Sequence, residues 1–157
     1  MSRKILVPID LSQDSDKVMA KALEFASGTN GEIILLHVVF NPSEFAGFHI
    51  PHLSTDKARE ELIEDAASDV ERFASRYAQG TPFRVEFGVP FREILRVAKE
   101  ENVSAIVIGS HKWGGALEHL FVSHASEKVI RHAPCDILVV PLEIQSEEEL
   151  MRRPRMA

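Results

Sequence analysis

Three runs in this sequence are apolar and rich in β-branched residues with no polar alternation: Ile5 to Ile9, Ala105 to Ile108 and Ile137 to Val140. A strand of that composition has no face to show to water, so it must be covered on both sides. Antiparallel sheets with one wet face are thereby excluded for these segments. The remaining solution is a parallel sheet with helices above and below it. Gly109 closes the second run, and a helix-period stretch follows with Val122, Ala125, Val129 and Ala133 on one side. Pro134 stops that helix before the third run begins. Strand, glycine-bearing loop, helix, strand is a βαβ unit, and in such sheets ligands sit beyond the carboxyl ends of the strands.

The rest of the chain repeats the alternation. Arg3 to Ile9 is read as strand 1, followed by Ser/Asp helix-start signals in Leu11 to Asp16. The helix carries Val18, Ala22 and Phe25 on one face, with Leu23 and Ala26 close by, and ends at Gly28 to Gly31. Glu32 to Val39 is a second apolar strand, interrupted only by His37. Residues 40–54, with two prolines and three aromatics, form a long irregular connection, expected to pack Phe45, Phe48 and Ile50 over a neighbouring surface. Residues 55–79 are the longest helix, with Leu62, Ala66, Val70, Phe73 and Tyr77 on its stripe. Phe83 to Phe87 alternates apolar residues with Arg84 and Glu86, as a half-exposed strand near a sheet edge would. Pro90 opens a further helix with Phe91, Ile94, Leu95 and Ala98 inward. The expected fold is α/β: one doubly wound, Rossmann-like sheet of five parallel strands with four helices. Residues 1–142 form the domain and 143–157 a partly flexible tail.

Composition narrows the partners. The net charge of −6 argues against general affinity for nucleic acid or anionic membranes. The arginines at 152, 153 and 155 follow three glutamates and neutralise locally. No apolar run is long enough to span a bilayer, and no signal peptide opens the chain. One cysteine, Cys135, permits no intrachain disulfide. A cytoplasmic location without nucleic acid or membrane partners is expected, and Cys135 is expected to be an inert packed thiol.

Several short segments together resemble the universal stress protein family. They are Lys-Ile-Leu-Val-Pro-Ile-Asp at 4–10, Ile-Leu-Leu-His-Val at 34–38, Gly-Val-Pro at 88–90 and Ile-Gly-Ser-His at 108–111. Ser-Glu-Lys-Val-Ile-Arg-His-Ala-Pro-Cys at 126–135 and Ile-Leu-Val-Val at 137–140 complete the series. The resemblance implies strand order 3-2-1-4-5, with a crevice between strands 1 and 4 faced by Asp10 and the loop after Gly109. It also implies nucleoside contacts at Pro8, Asp10 and Val38 in members that bind ATP or AMP. Asp10 has a second reading, as a residue that caps the first helix or fixes the turn after strand 1.

Nucleotide-binding members carry Gly-x-x-Gly, nine residues, then Gly-Ser or Gly-Thr, because glycines let backbone N–H groups reach phosphates. Here Gly109 fits, but Lys112 holds the second glycine position. Ser123-His124 stands where Gly-Ser belongs, and Gly114 and Gly115 are displaced into the middle of a segment one residue too long. A side chain forced into a left-handed turn costs ~1–2 kcal/mol. The chain is therefore expected to be an interaction or protective module of the branch without these glycines, with no cofactor required. The alternative is an ATP- or AMP-binding switch in which Lys112, Gly114, Gly115, Ser123 and His124 rebuild the phosphate site. At most a weak ATPase would result.

Seven histidines show no metal-ligand spacing, and Ser110, Ser123 and Ser126 have no evident base. Ile137, Leu138, Val139 and Val140 form an apolar strand at the sheet edge, which is hazardous unless covered. A homodimer through that strand is the expectation, with unknown protein partners besides; the competing cover is the tail folding back.

Overall fold

A computed structural model of the chain describes residues 2–40, 56–110 and 123–142, with side chains of the last segment from residue 125. The strands are β1 (Arg3–Pro8), β2 (Gly31–Phe40), β3 (Phe83–Gly88), β4 (Ala105–Ser110) and β5 (Asp136–Pro141). The helices are α1 (Ser15–Thr29), α2 (Asp56–Ser75), α3 (Pro90–Glu100) and α4 (Ser123–His132). All pairings are parallel, and the order is β3-β2-β1-β4-β5, as the resemblance implied.

Alternation along each central strand sorts the core into two layers. Ile5, Val7, Ile33, Leu35 and Val107 pack with Val18, Met19 and Ala22 of α1 and Val70 and Phe73 of α2. Leu6, Ile34, Leu36, Ile106 and Ile108 pack with Ile94, Val97 and Ala98 of α3 and Val129 of α4. Ile5, Leu6, Leu36 and Ile106 are wholly buried, each worth roughly 1.5–3 kcal/mol in transfer free energy. The apolar runs lack alternation because both layers of the sheet are occupied.

Some expectations are corrected. The longest helix ends at Ser75, so Tyr77 lies past it, where its hydroxyl donates to Asp16. Burial, then Asp16, push the Tyr77 pKa up to about 12. Leu62 is 36% exposed because the first turns of α2 bury none of their side chains. Leu23 faces solvent as well. β3 lies at the sheet edge and is half-exposed over its first four residues, as expected, and α3 meets its polar side with ion pairs. Arg84 binds Glu86, Glu100 and Glu101, Lys4 binds Glu101, and Arg96 binds Glu86, Glu93 and Glu100. Residues 41–54, Lys112, Gly114, Gly115, Val122 and the 143–157 tail lie outside the described residues.

Candidate functional site: a crevice where β1 and β4 part

The crevice originates in a difference of ladder length. β1 and β2 pair over six residues, but β1 and β4 pair only at Ile5–Ala105 and Leu6–Ile106. Beyond Leu6 the two strands separate. Pro8 sits at that separation. The Lys4 carbonyl accepts the Ser104 N–H, so even-numbered residues of β1 turn their peptide groups toward β4. The hydrogen that Pro8 lacks is therefore one that β4 is no longer placed to accept.

The cavity opened by this split has a volume of about 440 Å³, within the range of small-molecule sites. Pro8, Ile9 and Asp10 line it from the end of β1, and Leu36 to Phe40 from the end of β2. Pro90 and Ile94 of α3, Ile108 and Gly109 of β4, and Ala125 and Ser126 of α4 complete most of the wall. Four sequence-derived candidates, Pro8, Asp10, Val38 and Gly109, thus meet at one cavity. Ser123 and His124 open α4 in the backbone. Lys112, Gly114 and Gly115 cannot be placed among the described residues.

Asp10 holds the turn that leads from β1 into α1. Its Oδ1 accepts from the Ser12 N–H and the Ser15 Oγ–H, both at 3.0 Å. Leu11 between them has φ 61°, a left-handed conformation costly for leucine, and the Asp10 carboxylate clamps it. The turn-fixing role read from the sequence is therefore real, and the same residue also lines the cavity.

Gly109 has a packing role of its own. A Cβ placed there would lie 2.5 Å from Leu142 Cδ1 and 2.9 Å from Val18 Cγ2. Leu142 is buried against this glycine and lines the cavity. Its N–H donates to the Ser110 carbonyl at 3.1 Å, and its own carbonyl accepts from Lys17 Nζ at 3.3 Å. Gly109 is thus required whether or not a phosphate approaches it.

Sequence reasoning passed over Ser15, His37, Phe40, Pro90, Ile94 and Leu142 as site residues. Of these only His37 carried a local signal, as the one polar residue in an otherwise apolar strand. Ser126, expected near the crevice without an evident base, is buried in the cavity wall. Cys135 is half-buried, and its thiol pKa is raised by burial and then by Asp136, which favours the protonated thiol. Among the described residues no three His, Cys, Asp or Glu side chains converge as metal ligands. No helix among them is long and apolar enough to cross a membrane.

Comparison with known proteins agrees on one family. The sequence model of the Universal stress protein family matches residues 1–141. Universal stress protein YxiE of Bacillus subtilis is 32% identical over 148 residues, covering 89% of this chain and 99% of that protein. A universal stress protein of Methanothermobacter thermautotrophicus is 30% identical over 150 residues, covering 89% and 96%. Among solved structures, UspA from Lactobacillus plantarum matches with a TM-score of 0.63 at 24% identity, covering 88% of this chain and 97% of that one. A universal stress protein crystallised in complex with cAMP matches with a TM-score of 0.58 at 17% identity, covering 90% and 98%. At those identities the structural likeness speaks for the fold alone.

Proposed function

The chain belongs to the universal stress protein family, and from that premise we propose that it is a dimeric cytoplasmic stress-response module whose crevice takes the nucleoside part of an adenine nucleotide and holds the phosphates weakly. The observation that carries this reading is the open peptide edge at Val38. The β1–β2 register stops at Pro8–Leu36, and the last bond on that side runs from the Ile9 N–H to the Leu36 carbonyl at 2.8 Å. Peptide groups alternate sides along a strand, so the next ones facing the crevice are the N–H and C=O of Val38. A donor and an acceptor side by side complement the N1 acceptor and N6 amino donor of adenine. The apolar walls suit a flat base, and Asp10 stands at the end of β1 where a ribose hydroxyl would be met.

The phosphate side supports weak holding. Lys112 replaces a motif glycine, Ser123-His124 replaces Gly-Ser, and Gly109 is explained by Leu142 without any phosphate. A full phosphate loop supplies several charge-assisted hydrogen bonds, each worth roughly 1.5–3 kcal/mol. Without them ATP gains little over adenosine.

Equilibrium binding of adenosine, AMP and ATP to the full chain tests the reading. The three dissociation constants are expected within about threefold of one another, since the nucleoside contacts are common to all. Freshly purified protein, denatured and chromatographed, is expected to release no stoichiometric nucleotide. Stoichiometric ATP, or ATP binding a hundred times tighter than adenosine, would restore a working phosphate loop. No binding of any of the three would remove the nucleoside reading altogether. Asp10→Ala is expected to weaken adenosine binding, and an unchanged affinity in a folded variant would leave Asp10 to the turn alone.

A further inference from the structure

A parallel ladder continues by a fixed rule. After the Ile9 N–H to Leu36 carbonyl bond, the next is from the Val38 N–H back to the Ile9 carbonyl. That bond is not formed: β1 ends at Pro8 and the register stops with it. The Ile9 carbonyl is instead bonded to His37 Nδ1 at 2.9 Å. A carbonyl oxygen only accepts, so Nδ1 carries the proton.

The direction of this bond matters as much as its presence. His37 alternates with Ile33 and Leu35, whose side chains enter the layer under α1 and α2, so its ring stands out of the sheet plane on that side. A carbonyl drawn toward that ring is turned off the in-plane line to Val38. A strand apolar on both faces has no use for an imidazole in its core; a backbone bond at the strand's end gives it one. Val38 follows directly in the chain, and both residues line the cavity.

We propose that His37 is a positioning residue for the crevice: by holding the Ile9 carbonyl it stops the β1–β2 ladder one bond short and keeps the Val38 N–H open for a ligand. The consequence for adenosine rests on the nucleoside reading above; the effect on the Val38 amide does not.

Amide hydrogen exchange followed by NMR on the full-length protein separates the two. In the wild type the Val38 amide is expected to exchange at least about tenfold faster than that of Leu36, which lies inside the ladder. His37→Leu frees the Ile9 carbonyl, so the ladder closes by one bond. Val38 exchange should then slow by about tenfold and adenosine affinity should fall by about tenfold, with the melting temperature held or raised. His37→Asn places its Nδ2 close to the position of Nδ1 and should retain both wild-type behaviours. Should the leucine variant fail to fold, His37→Gln, whose amide projects past that position, serves in its place and should behave like leucine. A Val38 amide as protected as Leu36 in the wild type overturns the proposal. So does an amide that neither His37→Leu nor His37→Gln slows. Open Val38 exchange, closed by His37→Leu, in a protein that ignores adenosine would sink the nucleoside reading and leave His37 in its role.

Discussion

The two edge strands of the sheet, β3 and β5, face the same hazard and meet it in opposite ways. Among the described residues each has a strand neighbour on one side only, which leaves a row of backbone groups for something else to cover. β3 carries Arg84 and Glu86 on the side facing α3, where Glu93, Arg96 and Glu100 meet them and Lys4 and Glu101 extend the ion pairs to β1. Another strand docking there would have to desolvate this set of charges. Among the described residues β5 has no such guard: it is apolar from Ile137 to Val140, with Val139 39% exposed. On the same side of the sheet, Ile130 of α4 is 46% exposed. Leu138 and Val140 face the α1 layer and Ile137 packs into the opposite layer, so Val139 is the apolar side chain that β5 leaves exposed. A charged edge repels strand addition and an apolar edge invites it. The contrast supports the proposal that the dimer forms through β5.

Val139→Lys breaks that contrast most severely, because it puts on β5 the charge that β3 already carries. Burying the ammonium in a two-fold contact is expected to cost about 3 kcal/mol, more than a hundredfold in the dimer dissociation constant. Light scattering at micromolar concentration should show a monomer, or the protein should become insoluble. Deletion after Glu143 should leave the dimer intact, and a monomer on that deletion would assign the cover to the tail. A full-length chain already monomeric under these conditions would end the idea.

Arg84→Met breaks the contrast from the other edge, and more gently. The Arg84 side chain is 26% exposed and stands between Glu86, Glu100 and Glu101. Removing the guanidinium leaves Glu86 and Glu100 to Arg96 and Glu101 to Lys4, expected to cost roughly 0.5–1.5 kcal/mol in urea unfolding. The dimer constant should not move. A variant as stable as the wild type would show that the ion pairs only blunt the edge.

The smallest effect is in pH. Lys4 and then Arg84 hold the Glu101 carboxyl below its ordinary 4.5, and Arg96 and then Arg84 do the same for Glu100. A depressed folded pKa contributes stability that is complete above the unfolded value and lost as pH falls through the folded one. Thermal stability should therefore begin to decline near pH 4.5 and continue to fall below it. The acid limb should be shallower in Arg84→Met and unchanged in Val139→Lys. An identical limb in all three would detach acid sensitivity from the β3 edge.

Layering and order of elements were legible because they rest on short-range pattern. Unbroken apolar runs mark strands covered on both faces, and Pro90 sits where a helix starts; Gly109, read as the end of its strand, is still paired with Val140 one residue before β4 ends. The strand order came from resemblance rather than periodicity, which is blind to which strands are neighbours. Alternation in β3 marks the half-exposed edge strand that the sheet contains, but it does not say what meets the polar residues. Only the packed α3 turns that environment into ion pairs.

For the site, the sequence by itself determined which residues stand at the carboxyl ends of the strands: Pro8, Asp10, Val38 and Gly109. Tertiary structure decided what they do there. The Val38 edge is open because β1 ends one bond early, Pro8 is harmless because β4 has already turned away, and Gly109 is needed because Leu142, 33 positions along the chain, packs against it. Each of these depends on where one strand ends relative to another. Local sequence encodes the burial of a residue through its own side chain, but the relative ends of two strands are set by contacts that only the folded sheet brings together.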